Sequence, residues 1–163
     1  MIKLILLLGM LSFGAKATLL DCGSRIIHLA SREGFRADMY KDTKGHLTIG
    51  YGHKVLDTEL PLYSKGISKL VAVNLLLQDA RIHDKLARTI YKGWKLNCNQ
   101  KNAINDMVFQ LGYRKTMKFK NTLKAIKNGK YKKAASLVKR SLWFKQTPVR
   151  VKDFMKRIQH AND

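Results

Sequence analysis

The residues best able to do chemistry lie close together in "EGFRADMYKDTKGHLTIGYGH", residues 33–53. Glu33, Asp42 and Thr48 supply a carboxyl group, a second carboxylate and a hydroxyl, in a chain whose one other glutamate is Glu59. Cleaving a glycosidic bond needs such a set. An acid protonates the leaving oxygen while a base or nucleophile works on the opposite face of the sugar, and each role contributes roughly 10² to 10⁴ in rate. The same residues also read as a charge at a helix end and a polar turn residue, a structural use that spacing alone leaves open.

For these groups to meet, the chain must turn back on itself, and its pattern says that it does. "SRIIHLASREGF" has Ile26, Ile27 and Leu29 within about one helical turn, which predicts a short helix ending near Gly34. "MYKDTKGHLTIGYG" switches to aromatic and β-branched residues around a Thr-Lys-Gly turn, the pattern of a small hairpin. Glu33 then ends a helix, Asp42 sits in the hairpin and Thr48 lies on the returning strand. "ISKLVAVNLLLQDARIHDKLARTIY" keeps apolar residues at helical spacing long enough to bridge two lobes. "NQKNAINDMVFQLG", "KNTLKAIKNG", "YKKAASLVKRSLWF" and "TPVRVKDFMKRIQ" each read as one further helix, the last with Thr147 as N-cap and Pro148 at its first position. The expected fold class is α+β: an N-terminal lobe with a little sheet, a long connecting helix and a helical C-terminal lobe.

Composition narrows the setting. At 163 residues and 45% hydrophobic content the chain suits one compact domain with a real core, or two small lobes sharing a linker. Its net charge of +21 predicts attraction to a polyanion, whether nucleic acid, anionic lipid or acidic cell-wall polymer, although a solvated basic surface is the plainer reading. Residues 1–17 combine Lys3, an apolar run from Leu4 to Ala15 and the small-x-small site Ala15-Lys16-Ala17. They predict a secretory signal peptide or a releasable signal anchor, with residues 18–163 as the mature domain. The run is too short to cross about 30 Å of hydrocarbon comfortably. Export favours envelope polymers over DNA, and it makes a disulfide between the two cysteines, Cys22 and Cys98, reasonable. No metal-ligand spacing and no phosphate or dinucleotide loop is present, so neither a metal nor another cofactor is expected.

The run Glu33, eight residues, Asp42, five residues, Thr48, then Ile49-Gly50-Tyr51-Gly52-His53 resembles the signature of the phage-type lysozymes, the family 24 glycoside hydrolases. The likeness continues through "LLQDA", "NDMVFQLG" and "SLWFKQTPVR". It implies a lysozyme-like fold and a muramidase acting on peptidoglycan. By matching position, Glu33 would be the general acid, with Asp42 and Thr48 holding the water that attacks with inversion. Arg150 would pair with Glu33, and His53 with Asp79 as a stabilising ion pair. Phe109 and Thr122 match substrate-contacting positions, whereas Lys54 and Leu137 depart from the family's residues at two others. Gln110 and Trp143 would line or support the cleft. A Cys22–Cys98 bond would tie the N-terminus to the C-terminal lobe.

The expected partners are peptidoglycan and anionic envelope polymers, with transient membrane contact through the N-terminus, no nucleic acid, and a monomeric state in the periplasm or outside the cell. Two rival readings stand beside this one. A lytic transglycosylase needs one glutamate and no water-activating aspartate. A non-enzymatic cationic protein would use the basic stretches "KTMKFKNTLKAIKNGKYKK" and "VKRSLWFK" on membranes or DNA.

Overall fold

The computed structural model describes residues 25–42 and 45–160, with side chains from Leu29 onward. The predicted signal segment and Cys22 therefore lie outside the described residues, and so does the pairing of Cys22 with Cys98.

Helix α1 (Arg25–Glu33) ends at Gly34, and the chain leaves it directly into a three-stranded antiparallel sheet. Its strands are β1 (Arg36–Lys41), β2 (Leu47–Gly50) and β3 (His53–Lys54), in that order across the sheet. Tyr40 pairs with Thr48, and Thr48 with Lys54, which places all three on one face. Ile49, on the other face, is fully buried and packs with Val55 and Leu75, and Met39, Leu47 and Ile67 close over them. Gly50 holds φ 67°, and a Cβ there would come within 3.0 Å of Ala72 Cβ. Glycine is needed on both counts, because this is where the sheet lies against the long helix.

That helix is α3 (Lys69–Tyr91), reached through a 3₁₀ turn (Asp57–Glu59) and the short α2 (Leu60–Tyr63). Ser68 caps it by accepting the Val71 N–H. Its 23 residues span about 34 Å at 1.5 Å per residue. Ala72, Leu75 and Leu76 serve the N-terminal lobe, and Ala87 and Ile90 serve the C-terminal core. One rigid element thus spaces the two lobes.

The C-terminal lobe is helical: α4 (Cys98–Leu111), α5 (Tyr113–Met117), α6 (Lys120–Lys127), α7 (Tyr131–Lys139), α8 (Leu142–Gln146) and α9 (Pro148–Gln159). A reciprocal cap between Asn97 and Gln100 starts α4. Its Ala103, Ile104, Met107 and Val108 lie at the centre of the core with Val138, Val151, Phe154 and Ile158.

The α+β architecture matches expectation, with several local differences, the short helices α2 and α5 and the 3₁₀ turn among them. Strand β3 was not foreseen, because two residues carry no period. The stretch "YKKAASLVKRSLWF" is two helices, since Ser141 leaves the first and caps the second by accepting the Phe144 N–H. Thr147 stands at the N-cap position of α9 but makes no capping bond, as its hydroxyl is used elsewhere.

Candidate active site

An open cleft separates the sheet from the helical lobe. On the sheet side it is lined by Tyr40, Asp42, Thr48 and Lys54, and on the helical side by Phe109, Gln110, Thr147 and Arg150. Glu33, at the C-terminal end of α1, stands between them.

Glu33 is anchored by tertiary structure. Arg150, in the first turn of α9, donates from Nη1 to Glu33 Oε1 at 2.6 Å, with both side chains only about one fifth to one quarter exposed. Charge-assisted bonds of this kind are short and strong for their type. Next to it, Arg32 of α1 meets Asp153 of α9 at 3.5 Å, and Arg157 binds both Asp153 and Asp106 at 3.0 Å. These links join α1, α4 and α9 beneath the acid. Glu33 Oε2 lies on the side of Gly52, whose φ of 88° favours glycine.

The corner between α8 and α9 is set by a closed ring of hydrogen bonds. Trp143 donates its indole N–H to Gln110 Oε1 at 3.0 Å, Gln110 Nε2 donates to Thr147 Oγ1 at 3.2 Å, and Thr147 Oγ1 donates to the Trp143 carbonyl at 3.2 Å. Trp143 is 5% exposed and packs edge-on against Phe119 and Phe154. It supports the cleft from the core and does not line it. The ring fixes Thr147 at the start of α9, and so the stretch of backbone from which Arg150 extends.

On the sheet side of the cleft, Asp42 directly follows β1. Its Oδ1 accepts the His46 N–H at 2.8 Å, and its Oδ2 lies 3.3 Å from His46 Nδ1. Thr48 is buried, and its hydroxyl donates to the His46 carbonyl at 3.1 Å. His46 therefore orders both groups, a role that the sequence reading missed. The only signal for it was an aspartate four residues before a histidine across a glycine turn.

His53 is flanked on both ring nitrogens, with Asp79 Oδ2 2.9 Å from Nδ1 and Glu59 Oε2 3.3 Å from Nε2. The hydrogen bond to Asp79 raises the histidine above its usual 6.5 against the opposing effect of burial, and Glu59 adds to the rise. Glu59 is lowered from 4.5, first by the Leu56 N–H that its Oε2 accepts at 2.9 Å and then by His53. The expected His53–Asp79 pair is present. Glu59 is a second, unforeseen partner that ties the 3₁₀ turn to β3 and α3.

Phe109 faces the cleft with its ring 5.2 Å from that of His83, which is itself held 2.7 Å from the Asp79 carbonyl. Thr122, expected to contact substrate, is 3% exposed inside α6 and is not among the cleft-lining residues. Among the described residues no three of His, Cys, Asp and Glu are grouped to hold a metal ion.

A carboxyl group held in place in one open cleft with a second carboxylate and a hydroxyl suits general acid–base cleavage of an extended substrate. Sequence comparison agrees with that class. The phage lysozyme profile matches residues 30–159, and the chain belongs to the phage lysozyme family. It is similar to probable T4-type lysozymes 2 and 1 of Dictyostelium discoideum, with 36% and 33% identity over 143 residues, covering 72% of this chain and 83% of each relative. It is also similar to a part of the pre-baseplate central spike protein Gp5 of Enterobacteria phage T4, at 28% identity over 71% of this chain and 24% of that protein. A further likeness, at 29% identity, is to part of the peptidoglycan hydrolase gp36 of Pseudomonas phage phiKMV.

Proposed function

We propose that the protein is a peptidoglycan muramidase that hydrolyses the β-1,4 bond between N-acetylmuramic acid and N-acetylglucosamine with inversion. The observation that carries this reading is that Glu33, held by Arg150, lines the same cleft as Asp42 and Thr48. Glu33 protonates the leaving glycosidic oxygen. Because Oε1 is taken by Arg150, Oε2, which lies on the Gly52 side, is the donor oxygen in this reading. Asp42 accepts a proton from the attacking water, and the Thr48 hydroxyl orients that water on the opposite face of the sugar.

Asp42 and Thr48 favour hydrolysis over transglycosylation, which needs no activated water. Product analysis on purified peptidoglycan separates the two. New reducing ends are expected, and 1,6-anhydro ends would contradict hydrolysis.

The charge supports residence on anionic envelope polymers. From Met107 to Lys152 the chain has no aspartate or glutamate, while lysine and arginine recur throughout. Attraction of this kind is screened by salt, so raised salt should slow lysis of whole cells while leaving cleavage of a short soluble oligosaccharide unchanged. Export, to the periplasm or beyond the cell, belongs to the same proposal and rests on the composition of residues 1–17. Protein recovered from that compartment should begin at Thr18, and a retained Met1 would contradict cleavage.

A further inference from the structure

Lys54 occupies a place on the cleft wall that the acid–base reading leaves unexplained. Thr48 is paired with Tyr40 on one side and with Lys54 on the other, so the three side chains form one row across the three strands, and all three line the cleft. Neighbours in such a row have Cβ atoms about 4.5–5.5 Å apart. The lysine stem therefore starts beside the Thr48 side chain, and its flexible four-carbon length carries the ammonium outward along the groove from the edge strand.

The charge of Lys54 is not used within the fold. Its side chain is exposed, and its ammonium has no ion-pair partner among the described residues. The other basic groups on the cleft wall are engaged, Arg150 by Glu33 and His83 by the Asp79 carbonyl. Asp79 and Glu59, the acids beside β3, are held by His53. Tyr40 and Thr48, its row neighbours, offer no anion.

A cation facing a substrate groove selects for negative charge. Where a strand carries its peptides, the lactyl carboxyl of N-acetylmuramic acid is taken up in an amide bond, so the sugars themselves offer neutral hydroxyl, acetamido and amide groups. The carboxylates of peptidoglycan lie on the peptide stems that branch from the lactyl group of alternate sugars. We propose that Lys54 is a specificity-determining residue that binds a peptide-stem carboxylate and so favours strands whose stem carboxyls are free over those whose stem carboxyls are amidated. The proposal rests on the muramidase reading, and it assigns Lys54 to recognition and not to bond cleavage.

The test compares soluble glycan oligomers carrying intact peptide stems with the same oligomers after amidation of the stem carboxyls. Wild type should show kcat/KM lower by about tenfold on the amidated form, the scale of one hydrogen bond to a charged group. Lys54→Met should cleave both forms at that lower value, with the loss in KM and kcat unchanged, as expected for a contact equally strong in ground and transition states. Lys54→Arg should restore the preference, and an unchanged melting temperature for Lys54→Met would show that the fold is intact. A Lys54→Met enzyme that keeps the wild-type preference, or that loses rate equally on both substrates, would overturn the assignment. Failure of wild type to cleave either form would remove the muramidase reading itself and this proposal with it.

Discussion

Arg150 Nη1 lies 2.6 Å from Glu33 Oε1, joining residues 117 positions apart in the chain. The contact fixes the candidate acid from the far lobe through one oxygen and leaves the second beside Gly52, a cleft-lining residue. Removing the guanidinium leaves a half-buried carboxyl oxygen without its donor, whereas Glu33→Gln keeps an acceptor for the arginine. Arg150→Ala should therefore destabilise by about 1–3 kcal/mol, and Glu33→Gln by less. Urea denaturation of both single variants and the double variant measures the coupling. Additive losses would show that the two side chains do not support each other.

Gln110 holds Trp143 and Thr147 at once. Gln110→Leu leaves the indole N–H of an almost fully buried tryptophan without its acceptor. The expected cost is about 1–3 kcal/mol. Because the same ring sets the start of α9, lysis should fall further than the loss of folded protein explains. Thermal denaturation and turbidity clearing on the same samples check this. Activity falling only in step with the folded fraction would confine Gln110 to a structural role.

His53 gives stability a defined pH dependence. Its folded pKa is raised above 6.5, so its contribution is complete below that value and fades as pH rises through the higher folded value. Glu59 is lowered below 4.5, so its contribution is present above that value and is lost as pH falls through the folded one. The stability gap between wild type and His53→Asn should be widest from about pH 4.5 to 6.5 and narrow on either side. Unfolding free energies across pH 3 to 9 measure it, and parallel curves would remove the cluster from the account.

Local features were the legible ones. The helix–hairpin–long helix order followed from periodicity and glycine turns, because each element is defined by neighbours in sequence. Glu33, Asp42 and Thr48 fall within one such stretch and were found together. What escaped was decided at a distance. Glu59 reaches His53 through a turn with no periodic signal, and Thr147 gives up capping because Gln110, on another helix, competes for its hydroxyl. The break at Ser141 was hidden because the apolar spacing runs on through it, while the serine hydroxyl satisfies a new helix start. Thr122 matched a substrate position by resemblance, yet packing of α6 against the core buries it. The link between Arg150 and Glu33 came from resemblance alone, since no local rule joins groups so far apart.

The central claim is that Glu33 protonates the leaving oxygen while Asp42 and Thr48 deliver water. The most direct test is clearing of purified peptidoglycan by wild type and by Glu33→Gln, with new reducing ends counted in the same tubes. The glutamine variant should fold, bind the wall and lose roughly 10² to 10⁴ in rate, the contribution of a general acid. Equal clearing by the two proteins, with equal yields of reducing ends, would contradict it.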